Sequence, residues 1–273
     1  MTRIKLLALD MDGTLFTTDK RVTTENRIAL KAAEEKGVHV VITTGRPLPA
    51  IKHVLEDLQL YDDKHYSVTF NGGLVQRNNG EILDKNAMSR DQLRAIYAIL
   101  EPLSLPMDVL SDGIVYSISS QGNDSLYHIA NPMLTFQKLP SFEEIPENIS
   151  YNKVVVVIDS DFLDQQITKL PKEFYQQFEV FKSRDIILEI MPKGIHKAAG
   201  LELLIKHLDV KQEEVMAMGD EENDLSMLEW AGWGVAMANG VPLAKEKADA
   251  VTRRTNDQSG VAEAIREYIL SEE

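Results

Sequence analysis

The chain has 273 residues, enough for a core domain carrying a second one, and its 44% hydrophobic and 26% charged content is ordinary for a globular protein. Its 29 basic against 43 acidic residues give a formal charge of −14, which argues against non-specific binding to nucleic acid or anionic membrane and requires a local positive site for any anionic substrate. The absence of cysteine excludes disulfides, thiolate catalysis and cysteine-held zinc, and with neither a signal-peptide pattern nor a long apolar run a cytoplasmic location is expected.

Residues 4–9 are mostly apolar and read as a buried strand that runs into Asp10-Met11-Asp12-Gly13-Thr14. Open parallel sheets keep their sites at the carboxyl ends of their strands, which is where this places two acids. Carboxylates this close repel unless a cation or a shared proton relieves them, and Mg²⁺ suits such oxygen ligands. A plain acidic turn has the same pattern, so residues further along must decide. Thr23 or Thr24 then caps a helical pattern that uses Ile28, Leu30, Ala32 and Ala33 and stops at Gly37. A second strand over 38–43 ends in Thr43-Thr44-Gly45-Arg46-Pro47, ahead of helical spacing at Ala50, Ile51, Val54, Leu55 and Leu58. A hydroxyl, a glycine and a helix N-terminus together suit a phosphate oxygen, although Thr44 taken alone reads first as a helix-entry residue with a local backbone bond. Arg46 is given no role. Residues 67–70 read as a third strand ending in Asn71-Gly72-Gly73, and 74–76 with 81–83 as a hairpin.

The strand-helix alternation so far says parallel sheet with helices outside, that is, an α/β core. From about residue 86 to 188 the pattern changes. A helix over 90–103 leads to strands at 107–110 and 114–118 around the turn Ser111-Asp112-Gly113, then to a polar, proline-punctuated stretch as far as Pro146. A strand at 154–158, a helix at 161–170 and strand-like runs at 178–182 and 186–190 follow. Strands joined by short turns suggest an antiparallel sheet with helices on one side, a separate α+β unit inserted into the first domain. The expected division is therefore a core of 1–85 with 189–273 and an insert of 86–188. Helical spacing returns over 195–208, opened by Lys197, with Lys193 as a competing lysine. A short strand at 215–218 ends in Gly219-Asp220-Glu221-Glu222-Asn223-Asp224; a helix at 225–230, strands at 234–237 and 248–251 and a last amphipathic helix over 259–270 close the domain.

Four segments thus converge at one end of the inferred sheet: Asp10 with Asp12, Thr44, Lys197, and the cluster of Asp220, Asn223 and Asp224. As a set they fit phosphoryl transfer, in which cations neutralise the phosphate, a hydroxyl and an amide orient its oxygens, and a carboxylate attacks phosphorus. On these four motifs the chain resembles the haloacid dehalogenase superfamily, and its Cof-type sugar-phosphatase-like branch in particular. The resemblance implies a Rossmann-like core with a large inserted α/β cap and a Mg²⁺-dependent phosphatase of small phosphorylated metabolites. It implies Asp10 as nucleophile and Asp12 as general acid and base. Phosphate contacts fall on Met11, Thr44, Gly45, Lys197 and Asn223. The metal falls to Asp10, the Asp12 carbonyl and Asp220, with Asp224 and Glu221 supporting it. Ala198 stands where relatives commonly have a glycine. A phosphomutase using the same nucleophile and a non-catalytic phosphometabolite-binding protein are the alternatives, and a monomer or small homo-oligomer without nucleic-acid or membrane partners is expected.

Overall fold

The computed structural model describes residues 3–111, 113–147 and 149–271; Asp112, in the turn expected at 111–113, lies outside them. The chain begins with β1 (Leu6–Leu9), α1 (Thr24–Glu35), β2 (His39–Thr43), α2 (Leu48–Asp57), β3 (Tyr66–Thr69), β4 (Leu74–Arg77) and β5 (Ile82–Lys85). Next come α3 (Arg90–Leu100), β6 (Met107–Ser111), β7 (Ile114–Ile118), α4 (Tyr127–Ala130), β8 (Thr135–Leu139), β9 (Lys153–Val157), α5 (Ser160–Ile167), α6 (Lys172–Gln177), β10 (Phe178–Arg184) and β11 (Ile187–Pro192). The chain then runs through α7 (Lys197–Leu208), β12 (Val215–Gly219), α8 (Leu225–Trp230), β13 (Trp233–Ala236), α9 (Pro242–Lys247), β14 (Ala250–Val251) and α10 (Gly260–Ile265). Two compact units result: residues up to Asp84 with those from His196 onward, and Lys85–Ile195 between them.

The core unit is an eight-stranded sheet in the order β14-β13-β12-β1-β2-β3-β4-β5. β1 lies parallel to β12 on one side and to β2 on the other, with Leu6 opposite Val215 and His39. Its residues are uniformly apolar because both faces are covered. Leu7 and Leu9 pack with Val40, Ile42 and the inward sides of α1, α2 and α10, through Leu30, Ile51 and Val261 among others. Leu6 and Ala8 face the other way, onto Leu201, Leu204 and Ile205 of α7. This alternation is the two-residue period of a strand read out on two helical layers. The local signals hold: Thr23 caps α1 by accepting from the Asn26 N–H, and Pro47 precedes α2. β3 and β4 pair antiparallel as a hairpin-like return. The parallel strands β1, β2 and β12 end side by side, and Asp10, Thr44 and Asp220 follow them directly.

The inserted unit holds a six-stranded sheet ordered β10-β11-β9-β6-β7-β8, antiparallel except where β8 runs parallel to β7. Its own core joins Leu93, Ile96 and Leu100 of α3 and Leu163 of α5 to Val109, Tyr116, Val154 and Val156 of the sheet. Two features differ from the sequence reading. β8 lies in the stretch read as polar, because an edge strand such as Thr135–Leu139 is largely exposed and carries little apolar alternation. The second boundary falls at Ile195, beyond the expected 188, because β11 pairs with both β9 and β10 and so completes the inserted sheet.

Candidate active site

Asp10 leaves β1 with its backbone N–H bonded to the Met218 carbonyl of β12 (3.0 Å), so the pairing of the two strands fixes where its carboxylate points. Gly13 lets the turn close on β12: its φ is +83°, and a Cβ there would lie 2.1 Å from Asp220 Oδ2. Thr14, buried beside it, donates its hydroxyl to Asp220 Oδ1 at 2.8 Å. Lys197 is the first residue of α7 and is 0% exposed. Its Nζ donates to Asp10 Oδ1 at 2.5 Å and to Asp224 Oδ1 at 2.6 Å. Lys193, the competing lysine, is exposed in the inserted unit and bonded to the Tyr175 carbonyl. His196, which has no catalytic assignment, caps α7 through Nδ1.

Oxygens of Asp10, Asp220 and Asp224 lie within 4.8 Å of one another, and all three residues are buried. One buried lysine cannot neutralise three carboxylates. Burial, and then repulsion from Asp10 and Asp224, pushes Asp220 up to about 9. Burial also pushes Asp10 up to about 7, against the pull of Lys197 and with added repulsion from Asp224. For Lys197 burial acts downward, but the two carboxylates outweigh it and raise its pKa. Surplus negative charge on hard oxygen donors is the environment a divalent cation relieves, so the residues fit a metal such as Mg²⁺. The donors are not equivalent. Asp224 spends Oδ1 on Lys197 and Oδ2 on the N–H groups of Asp220 (2.8 Å) and Glu221 (3.1 Å), so it shapes the cluster. Glu221 lies outside the carboxylate group and its side chain caps the turn that follows.

The Asp12 carboxylate is not among these clustered oxygens. Arg46 grips it with Nε on Oδ2 and Nη2 on Oδ1, both at 2.8 Å, and Lys20 Nζ reaches Oδ1 at 2.6 Å. The Arg46 guanidinium also lies 5.8 Å from the centre of the buried Phe16 ring. Arg46, Lys20 and Thr14 escaped the sequence reading; an arginine one residue past Thr44-Gly45 was visible, but its partner across the sheet was not. Thr44 is buried and accepts from the Arg46 N–H at 3.2 Å, which leaves its own hydroxyl hydrogen to donate. The local bond and a phosphate role are therefore compatible. The Met11 side chain belongs to the apolar core, so only its backbone is available for a phosphate contact. Asn223, half-buried, donates to Asn71 Oδ1 at 3.2 Å. The structure thus gathers Asp10, Lys197, Asp220 and Asp224 into one buried cluster and holds the Asp12 carboxylate with Arg46 and Lys20.

Residues 7–265 match the haloacid dehalogenase-like hydrolase family. A Streptococcus pyogenes protein provisionally named a phosphatase is 36% identical over 272 residues, covering 98% of this chain and 99% of its own length. The 5-amino-6-(5-phospho-D-ribitylamino)uracil phosphatase YcsE of Bacillus subtilis is 32% identical over 271 residues, with 98% and 96% covered. Among solved structures, a subclass IIB sugar phosphatase of the superfamily aligns with a TM-score of 0.81 at 28% identity, over 97% of this chain and 98% of the other. A haloacid dehalogenase-like hydrolase from B. subtilis aligns with a TM-score of 0.83 at 26% identity, over 97% and 100%.

Proposed function

The chain belongs to the haloacid dehalogenase-like hydrolases and is a phosphatase, and we propose that it hydrolyses small phosphorylated metabolites, sugar phosphates among them, through an aspartyl-phosphate on Asp10. The observation that carries this reading is the Lys197 ammonium locked between Asp10 and Asp224 in a buried carboxylate cluster. A binding protein for phosphate has no use for three converging acids, which would repel its ligand. A nucleophilic carboxylate that must be approached by an anion needs this lysine and a metal to make the approach possible.

In the first half-reaction the Asp10 oxygen not engaged by Lys197 attacks phosphorus. The ester P–O bond breaks, and Asp12 in its acid form gives its proton to the leaving alkoxide. In the second, Asp12 as carboxylate takes a proton from water, whose oxygen attacks phosphorus. The Asp10–phosphorus bond then breaks and inorganic phosphate leaves. Throughout, Lys197 offsets the charge of the equatorial oxygens, while the Thr44 hydroxyl, the Gly45 N–H and the Asn223 amide orient them. Mg²⁺, held by Asp10, the Asp12 carbonyl and Asp220, would supply further charge neutralisation and orientation. Glu221, which is not among the clustered carboxylates, takes no ligand position in this reading, and Asp224 acts through Lys197 and the backbone.

The test is phosphate release from an aryl phosphate with and without Mg²⁺, on wild type and Asp10→Asn. Mg²⁺-dependent release that falls by about 10³-fold or more in the variant is expected, the size seen when a covalent nucleophile is lost. An undiminished rate in Asp10→Asn, or release indifferent to chelation, would overturn the reading. Formation of an isomeric sugar phosphate in place of inorganic phosphate would mark a mutase.

A further inference from the structure

Between β3 and β4 the backbone does something no other part of the described chain does. Phe70, Asn71 and Gly72 follow one another with φ of +51°, +53° and +98°. Two of them are not glycine, and Phe70 is a buried aromatic for which the left-handed region is costly, on the order of 1–3 kcal/mol per residue. Such strain persists where surrounding contacts over-determine it. Here the Asn71 N–H donates to the Thr44 carbonyl at 3.0 Å, and the Gly73 N–H to the Phe70 carbonyl at 3.0 Å. A Cβ on Gly72 would lie 2.0 Å from the His196 carbonyl oxygen at the start of α7. The triplet is therefore wedged between the segment after β2 and the helix that carries Lys197.

What this conformation delivers is the Asn71 side chain. It is buried, it packs against Gly45, where a Cβ would lie 3.0 Å from its Nδ2, and its Oδ1 accepts from Asn223 Nδ2 at 3.2 Å. A carboxamide has two nearly isosteric faces, one donating and one accepting, and only an outside partner decides which faces a ligand. An acceptor at Asn71 Oδ1 holds the NH₂ of Asn223 on that side. It consumes one amide hydrogen and leaves the second for a phosphoryl oxygen, while the repelling Oδ1 is turned away.

We propose that Asn71 is a positioning residue for Asn223, setting the amide orientation in which Asn223 donates to the phosphoryl group. This rests on the reading of Asn223 as a phosphate contact. The strained triplet is the means: an ordinary turn at 70–72 would not place an asparagine side chain between Gly45 and Asn223.

The test is a double-mutant cycle on inorganic phosphate binding, measured by calorimetry in Mg²⁺ buffer on the full chain. Asn71→Gly keeps the left-handed backbone and removes only the side chain. It is expected to weaken phosphate binding by about five- to tenfold, the scale of one hydrogen bond to a charged group. Asn223→Ala should weaken it at least as much, and Asn71→Gly added to Asn223→Ala should cost less than about twofold more, because coupled residues are not additive. Additive losses, or normal binding in Asn71→Gly, overturn the proposal. Normal binding in Asn223→Ala overturns the assignment of Asn223 beneath it, which the single variants distinguish. Melting curves run alongside, and if Asn71→Gly does not fold, Asn71→Ser, whose hydroxyl is too short to reach Asn223, takes its place in the cycle.

Discussion

Arg46 meets Asp12 through two parallel bonds, and planar two-point contacts of this kind fix direction as well as charge. In the proposed mechanism Asp12 hands a proton to a departing alkoxide, which works only if the proton-bearing oxygen faces it, so the grip on Asp12 would matter most where the leaving group most needs the proton. Arg46→Met is therefore expected to cut turnover of alkyl phosphates by about 10²-fold, within the usual range for general-acid loss, and of nitrophenyl phosphate far less. Equal losses on both esters, read from kcat across a leaving-group series, would contradict this role. Lys20 sits on the same carboxylate but is largely exposed, so Lys20→Met should follow the same trend more weakly.

The turn after β3 shows what elements contribute that single residues cannot. Gly72 combines a φ of +98° with a backbone carbonyl where a side chain would begin. Gly72→Ala therefore forces α7 away from the sheet and is expected to cost about 3 kcal/mol or more, as a lowered urea midpoint with unchanged slope. A variant of wild-type stability would show that α7 is free to shift. Much of the element level was legible beforehand. β1, α1, β2, α2, α7 and β12 announce themselves through apolar period, caps and glycine stops, and with them Asp10, Lys197 and Asp220. What stayed hidden depends on partners distant in sequence. The bond from Asn223 to Asn71 spans 152 residues and the one from Arg46 to Asp12 spans 34. No local pattern encodes either. Left-handed φ at Phe70 is likewise invisible, since propensity alone argues against it. The edge strand β8 and the end of the inserted unit were missed for a related reason, because pairing defines them and apolar content does not.

At the scale of the whole chain, the two compact units each have their own apolar clusters, with no residue in common among those described, so calorimetry should resolve two transitions. Mg²⁺ should raise only that of the core unit, which owns the carboxylate cluster. The other carries its own marker. Asp108 on β6 is buried, and burial pushes it up to about 6 although the hydroxyls of Ser117 and Ser125 donate to it. Its folded pKa exceeds the unfolded value of 3.8, so the folded unit holds a proton the unfolded chain has lost. Stability is then full below about pH 4 and declines, by about 3 kcal/mol at most, as pH rises to about 6. Asp108→Asn should flatten that slope in the inserted unit alone; an unchanged slope would assign it to other groups. The interleaving of the two units has a further consequence during synthesis. Thr14 bonds a residue 206 positions later. At ribosomal rates of ~5–20 residues per second, β1 emerges about 10–40 s before its neighbour β12 exists. For that interval one side of the most apolar strand in the protein is an open edge, a hazard for association between nascent chains. No nascent chain that stops short of Asp224 holds the lysine and the acids together, so hydrolysis cannot begin until that residue has been made.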